Sequence, residues 1–199
     1  FELAALERHD NVRLHATSIS TFHPAEQTEL PRLIRSLRPD VVHLPYNVRP
    51  YRLGIPNVLT LFDCIPRRFP AGYSLHSRLT IELFQRLALR SAGAFVAISQ
   101  ATAADFMTLY GVPGPAITVT PLAADPVFIP QSPGVVAELR RRHHLPDHYL
   151  LYLGSNKPHK NLVRLLRAFA LVRSSDAGAT LVIAGAWDPR YPETRNLAA

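Results

Sequence analysis

The sequence predicts an open α/β fold in which parallel strands lie between two layers of helices. Short apolar runs alternate with amphipathic segments along most of the chain, and strands separated by helices pair in parallel through right-handed crossovers. The runs at 41–44 (Val-Val-His-Leu) and 94–98 (Ala-Phe-Val-Ala-Ile) are apolar on both faces, which is typical of strands that helices cover on both sides. A proline-rich stretch interrupts this alternation before it resumes. We therefore expect two doubly wound parallel-sheet domains, the second of them incomplete.

The elements expected in the first domain follow from periodicity and from capping residues. Leucine and isoleucine recur at helical spacing between residues 30 and 37. Ser99 is placed to cap a helix that Gly111 ends. In chain order we expect a strand at 11–16, a helix at 24–37, strands at 41–44 and 57–62, a helix at 74–92, a strand at 94–98, a helix at 99–110 and a strand at 117–120.

The second domain is expected to begin after a linker at 126–147. Four prolines and a charged run replace the apolar runs there, with one short helix at 134–143. The alternation restarts with a buried strand at 149–153, a helix at 161–173 and a strand at 180–184. The domains should therefore comprise 1–125 and 148–199. Because the first residues read as the tail of a helix and the last as the start of one, we also expect a fragment cut at both ends.

Composition restricts the class of partner. The net charge of +7 favours anionic partners such as phosphorylated small molecules, nucleic acid or an acidic membrane surface. Aromatic and basic residues do not interleave as they do on a platform for stacked bases, so no nucleic-acid partner is expected. No apolar run is long enough to span a membrane. The single cysteine, Cys64, excludes an intrachain disulfide and is compatible with a reducing compartment.

The strongest chemical signal is the turn between strand and helix at 154–161. Gly154 ends the strand, and Lys160 stands at the start of the helix with Lys157 and His159 nearby. A helix dipole disfavours cations at its N-terminus, whereas the free N–H groups there bind anions. A bound phosphate would resolve this conflict, and the missing side chain of Gly154 would let a ligand approach the backbone. The alternative is an ordinary turn with surface lysines.

Three polar residues fall at the carboxyl ends of predicted strands, where open α/β sheets bind ligands. Asp63 would bind an acceptor hydroxyl or orient a base, unless it only caps a turn. Ser99 either caps its helix or faces the same crevice. His43 is a candidate catalytic or acceptor-contacting residue, with a packed histidine as the alternative.

Motifs for other chemistries are missing. The sequence has no Gly-x-Gly-x-x-Gly fingerprint and no Gly-x-x-x-x-Gly-Lys-Ser loop. It has no Gly-x-Ser-x-Gly elbow, and without a cysteine pair a structural zinc site is unsupported. None of these dinucleotide, phosphate-loop, hydrolase or zinc sites is therefore expected.

Taken in order, the motifs resemble glycosyltransferase family 4. Tyr-Leu-Gly at 152–154, Lys-Asn-Leu at 160–162 and Leu-Leu-Arg-Ala-Phe at 165–169 resemble the opening of that family's donor domain. The upstream matches are Asp-Val-Val-His at 40–43, Thr-Leu-Phe-Asp-Cys-Ile-Pro at 60–66, Ala-Ile-Ser at 97–99 and Val-Thr-Pro-Leu-Ala-Ala-Asp at 119–125. The similarity is greatest to the bacterial mannosyltransferase-like subgroup that builds O-antigen and exopolysaccharide.

The resemblance implies retaining enzymes of GT-B architecture, with two Rossmann-like domains and no bound divalent metal. It assigns donor-diphosphate binding to Gly154, Ser155, Lys160 and Asn161, with Lys160 in the place of the family's diphosphate-binding lysine. Many relatives carry arginine where this chain has Ser155, and histidine where it has Phe62. The family's glycine-rich loop would precede this sequence, and its pair of sugar-contacting carboxylates would follow it.

The sequence thus predicts a hexosyltransferase that moves a sugar, GDP-mannose being the favoured donor, to a glycan or lipid-linked acceptor in surface polysaccharide synthesis. His43 and Asp63 would be catalytic and Ser99 would line the acceptor cleft. A cytoplasmic protein is expected, with peripheral contact to anionic lipid at the inner face of the membrane through the helix at 74–92. The alternatives are a non-catalytic, degenerate transferase used for binding, and a nucleotide-sugar epimerase.

Overall fold

A computed structural model describes residues 9–20, 23–47 and 49–198 of the chain. The chain divides into two compact units, one formed by Phe1–Cys64 with Leu75–Leu122 and the other by Ile65–Ser74 with Ala123–Ala199. In this division the chain passes from the first unit to the second between Leu122 and Ala123. The short segment Ile65–Ser74, which the sequence analysis placed in the first domain, clusters instead with the second unit.

The first unit is built on a four-stranded parallel sheet whose strand order follows the chain, β1-β2-β3-β4. Its strands are Val42–Leu44 (β1), Asn57–Leu61 (β2), Ala94–Ala97 (β3) and Ile117–Val119 (β4). Its α-helices are Glu29–Ser36 (α1), Leu75–Ser91 (α3) and Gln100–Tyr110 (α4), and 3-10 turns occupy Pro24–Gln27 and Gly114–Ala116.

The core of the first unit lies where the two central strands meet α4. Leu59 and Leu61 of β2 are fully buried, and Phe95 and Ala97 alternate in the same way on β3. Phe106 packs into this cluster from α4. Each leucine buried in this way stabilises the fold by about 1.5–3 kcal/mol. The core therefore fixes the central strands, whose carboxyl ends carry the predicted acceptor residues.

Two predictions for the amino-terminal region are wrong. Residues 11–16 form no strand, because no strand among the described residues pairs with them and their side chains are largely exposed. The helix predicted at 24–37 is a 3-10 turn followed by α1, separated at Thr28. Pro31 explains the break, since proline inside a helix lacks an N–H and clashes with the carbonyl four residues earlier. In α1 it lies in the first turn, where it is tolerated.

The second unit contains a two-stranded parallel sheet. Its strands are Leu150–Leu153 (β5) and Leu181–Ala184 (β6), and its α-helices are Ile65–Arg68 (α2), Pro133–His143 (α5), Leu162–Ser175 (α6) and Glu193–Ala198 (α7), with 3-10 turns at Pro70–Gly72 and Pro158–Lys160. The prediction that the strand at 149–153 is buried is wrong for this structure: Leu150, Leu151 and Leu153 are 55%, 58% and 76% exposed. Within the described residues, nothing covers these side chains.

Candidate functional site

The predicted donor loop begins where two glycines bring β5 and β6 together. Gly154 and Gly185 follow the two strands directly, with φ of 155° and 134°, and the Gly154 N–H donates to the Ala184 carbonyl at 2.9 Å. A Cβ on Gly185 would stand 2.2 Å from the Gly154 carbonyl oxygen. The two loops therefore leave the sheet in direct backbone contact, which only glycine permits at residue 185.

The missing side chain of Gly154 leaves room for the phenol ring of Tyr152. A Cβ at this position would lie 3.0 Å from the Tyr152 hydroxyl oxygen, and that hydroxyl donates to the Ser155 carbonyl at 2.9 Å. The space that the sequence analysis assigned to an approaching ligand is thus filled by Tyr152. Ser155 is half-buried, and its backbone is already engaged in this bond.

The loop ends at the start of α6, whose N-terminus has no side-chain cap. Pro158–Lys160 forms one 3-10 turn, closed by the Lys160 N–H donating to the Lys157 carbonyl at 2.9 Å. Asn161 precedes α6 in the left-handed conformation (φ 57°, ψ 36°) and makes no side-chain capping bond. The amides in the first turn of any α-helix lack intrahelical acceptors. An exposed Lys160 beside such a terminus is the arrangement that anions favour.

The cations of this loop are not equivalent. Asp188, in the loop after β6, pairs with Arg190 at 2.6 Å, and hydrogen bonding from Arg190 lowers the pKa of Asp188 to about 2. Lys157 lies close enough to Asp188 to favour the ionised carboxylate further. Part of the Lys157 charge is thus balanced within the protein, which makes Lys160 the better candidate for an external anion.

A cavity of about 210 Å³ lies beside the start of α6. Its lining residues are Asn156, Lys157, Pro158, Asn161, Leu162, Val163, Glu193 and Thr194. The carboxylate of Glu193 disfavours an anion there, and Lys160 is not part of this lining. Lys157 and Asn161 line it as well, and Lys157 with Glu193 gives the cavity both signs of charge.

Asn156 is a buried residue that the sequence reasoning missed. It is 4% exposed and hydrogen-bonds to the backbone of Asp188 and Tyr191 in the neighbouring loop. Its position between Ser155 and Lys157 looks like any polar loop residue, and no signal in one sequence distinguishes a buried asparagine from an exposed one. Its partners lie more than thirty residues away along the chain.

The predicted acceptor residues all lie toward the carboxyl edge of the first sheet. His43 is exposed on β1, and its Nε2 is 2.7 Å from the Thr60 hydroxyl of β2. Asp63 is exposed two residues after β2. The strands β1 and β2 are adjacent and parallel. Asp63 follows the carboxyl end of β2, the edge where such sheets bind ligands, and His43 is the middle residue of β1.

Ser99 caps α4, which is one of the two roles that the sequence predicts for it. Its Oγ accepts from the Thr102 N–H at 3.1 Å and donates to the Thr102 hydroxyl at 3.0 Å. Thr102, which the sequence reasoning missed, in turn donates to the Phe62 carbonyl at 2.9 Å. The Ser99 hydroxyl is therefore engaged by the helix, and through Thr102 it is linked to the turn before Asp63.

Metal ligands do not cluster in the part of the chain that the structure describes. No group of three or more histidine, cysteine, aspartate or glutamate side chains there could hold an ion. His144 and His148 have the i, i+4 spacing of a metal-binding pair, but His144 caps the carboxyl end of α5 and Pro146 follows, so the two do not share a helix. Nor is any helix among the described residues long and apolar enough to cross a membrane.

Comparison with known proteins decides the family. Residues 4–128 match the model of Glycosyltransferase Family 4. The chain belongs to glycosyltransferase family 4. It is 27% identical over 153 residues to O-antigen chain mannosyltransferase B of Escherichia coli, an alignment that covers 76% of this chain and 39% of that protein. The chain thus spans about two fifths of this curated relative.

Solved structures show the same fold. A crystal structure of Anabaena Alr3699/HepE in complex with UDP and glucose superposes with a TM-score of 0.62 at 19% identity, over 89% of this chain and 49% of that one. A glycosyltransferase from Rickettsia africae superposes at 0.55 with 16% identity, over 97% and 52%. These neighbours are GT-B proteins, so the predicted parallel α/β fold of GT-B type is confirmed.

Proposed function

We propose that this chain belongs to a retaining hexosyltransferase that moves a sugar from a nucleotide donor to a glycan or lipid-linked acceptor. The observation that carries the proposal is the loop 154–161, which ends in an uncapped helix N-terminus with Lys160 beside it. In a member of family 4, this is the place where a departing nucleoside diphosphate would be held.

The chemistry that these residues supply is electrostatic. As the bond from sugar to diphosphate breaks, negative charge grows on the leaving phosphate. The first amides of α6 are fixed donors for that charge, and Lys160 adds a positive charge beside them. Donors that need no reorganisation during the reaction stabilise the transition state most. On the acceptor side, Asp63 would accept a hydroxyl proton and His43 would orient the acceptor. Ser155 and Asn161 complete the proposed donor-diphosphate set.

Mannose is the proposed sugar and GDP the proposed nucleotide. The support for mannose is the mannosyltransferase relative, whose name also links it to the O-antigen chain. Structures of Alr3699/HepE contain UDP or UDP-glucose, which makes UDP the competing nucleotide. Binding experiments with GDP and UDP in parallel would separate the two.

The decisive experiment compares two lysines of one loop in the intact protein. Lys160→Ala should weaken GDP or UDP binding at least about tenfold, because a hydrogen bond between charged groups contributes roughly 1.5–3 kcal/mol. Lys157→Ala removes the same charge three residues away, where Asp188 already balances part of it. That control should change the dissociation constant less than about threefold. Titration calorimetry of the two variants and the unchanged protein gives all three values.

Two results would contradict the assignment. Equal affinity of Lys160→Ala and the unchanged protein would remove Lys160 from the donor site. Equal losses in both lysine variants would show attraction by net charge rather than a built site.

A degenerate transferase that only binds is the second candidate function. Ser155 and Phe62 favour it, because they stand where many relatives have cationic or acid–base side chains. Binding of a nucleotide sugar without turnover or hydrolysis by the intact protein would support this candidate. Hexose transfer to any acceptor would exclude it.

The proposed location is the cytoplasm, with peripheral contact to the cytoplasmic face of an anionic membrane. Leu75, Leu79 and Leu83 of α3 are 68%, 63% and 55% exposed and lie on one face because they are four residues apart. Exposed Arg86 and Arg90 continue that face toward the helix end. Apolar side chains followed by arginines match the acyl boundary and anionic headgroups of a bilayer.

A further inference from the structure

We propose that Asn156 is the positioning residue of the donor-diphosphate loop. By fixing the loop 154–161 against the loop 185–191, it sets where Lys160 and the first turn of α6 stand. This inference rests on the proposed function, since it presumes that Lys160 meets a diphosphate, but it concerns a side chain outside the predicted donor set.

Both the nitrogen and the oxygen of the Asn156 side-chain amide make hydrogen bonds. Its Nδ2 donates to the Asp188 carbonyl at 2.8 Å and to the Tyr191 carbonyl at 2.7 Å, while its Oδ1 accepts from the Asp188 N–H at 2.7 Å. The opposite orientation of the amide would set oxygen against two carbonyl oxygens. Only asparagine, with two donors and an acceptor on a short stem, fits this set of partners.

The link from Asn156 to Lys160 is short and stiff. Pro158 fixes its own φ, and the turn from Lys157 to Lys160 is closed by a backbone bond of 2.9 Å. The next bond, from the Asn161 N–H to the Pro158 carbonyl at 3.0 Å, continues directly into α6. A displacement of Asn156 is therefore transmitted to the cation and to the helix amides.

The two loops that Asn156 joins also contact a third segment, Ile65–Ser74. The Tyr191 hydroxyl donates to the Gly72 carbonyl at 3.3 Å, and the ring of Phe69 lies 6.2 Å from that of His159. Ile65–Ser74 thus packs on both loops that Asn156 joins, within the second unit. Asn156 lies at the carboxyl ends of β5 and β6, the ligand-binding edge of a parallel sheet, which points to a role in the site as well as in stability.

The test measures ligand affinity and stability separately in the intact protein. Asn156→Ala and the milder Asn156→Ser are titrated with GDP and UDP well below their melting temperatures. The matched control is Asn57→Ala in the first unit, where Asn57 Nδ2 likewise donates to two backbone carbonyls, of Ile55 at 3.0 Å and Ser91 at 3.2 Å. Both alanine variants should melt at a lower temperature than the unchanged protein.

Only the Asn156 variants should lose affinity, by roughly tenfold, because the hydrogen bonds that Lys160 and the first amides of α6 would make to a diphosphate weaken steeply when their geometry changes. Unchanged affinity in both Asn156 variants, alongside weakened binding by Lys160→Ala, would overturn the positioning role and leave the donor assignment standing. An equal affinity loss in Asn57→Ala would overturn it too, as a general effect of instability. If the unchanged protein binds neither nucleotide, both proposals fail.

Discussion

Buried polar side chains connect distant parts of the chain in each unit. Arg49 is 2% exposed and donates to the side chains of Asn57, at 2.9 Å, and Ser91. Burial lowers the pKa of Arg49 to about 10, so it is still charged at neutral pH. Hydrogen bonds offset part of the cost of burying a charge: the two terminal nitrogens of Arg49 have these partners, whereas its buried Nε has none among the described residues. Arg49 thus ties β2 to the end of α3, as Asn156 ties the two loops of the second unit.

Gly185 gives a residue-level prediction about the donor loop. Gly185→Ala should lower the free energy of unfolding by more than about 2 kcal/mol, because its positive φ is strained for alanine and its Cβ would overlap the Gly154 carbonyl oxygen, 2.2 Å away. Denaturant titration measures this loss. The control is Gly134→Ala in α5, where a Cβ meets nothing within 4 Å and should stabilise by roughly 0.5–1 kcal/mol. Tolerance of alanine at 185 would contradict the close approach of the two loops.

The loop after β6 should make the second unit sensitive to acid. Because the Arg190 hydrogen bond lowers the pKa of Asp188 from 3.8 to about 2 in the folded protein, the ionised carboxylate stabilises the fold above pH 3.8. That contribution is lost as the pH falls toward 2. Asp188→Asn preserves the backbone bonds to Asn156 and should lose less stability over this interval than the unchanged protein does. Thermal melting between pH 5 and 2 would check it.

The matched control for this acid effect is Asp147→Asn. Asp147 also faces an arginine, Arg140 at 3.2 Å, but its side chain is 87% exposed, and exposed ion pairs contribute little. The Asp147 variant should follow the unchanged protein throughout the titration. An Asp188 variant that does the same would show that the Asp188–Arg190 pair does not stabilise the second unit.

At the scale of the whole molecule, periodicity predicted the sheets well because it reports burial on a regular backbone. The runs at β2 and β3 are apolar at alternate buried positions, such as Leu59 and Leu61, and their parallel pairing follows from the helices between them. Pro31 was the readable signal against one long amino-terminal helix. The exposure of β5 could not be predicted from the sequence, because it depends on what covers the strand and not on the residues of the strand.

The residues of the candidate site likewise differ in whether their partners are near or far along the chain. Gly154, Lys160 and Asn161 could be proposed from the sequence because they lie close together in sequence within one turn. Asn156 and Thr102 were not, because each works through backbone groups tens of residues away. A single sequence reveals chemistry that is local in the chain, and it hides the partners that hold this chemistry in place.

The molecule's charge and the face of α3 together predict membrane binding. With a net charge of +7 and exposed Leu75, Leu79 and Leu83 beside arginines, the intact protein should co-sediment with vesicles that contain phosphatidylglycerol. It should bind vesicles of phosphatidylcholine alone much less. Each basic residue near an anionic surface contributes about 1 kcal/mol, an attraction that salt screens. Binding should therefore weaken as the salt concentration rises.

The leucines decide whether this attraction is specific to α3. Leu79→Ser with Leu83→Ser should reduce vesicle affinity at least about tenfold, since each tenfold change corresponds to ~1.4 kcal/mol and insertion of a leucine is worth about that much or more. Leu122→Ser with Val127→Ser removes two comparably exposed apolar side chains elsewhere, 69% and 68% exposed, and keeps the charge. Equal losses in the two double variants would assign the binding to overall basicity, and the α3 face would then have no special part in it.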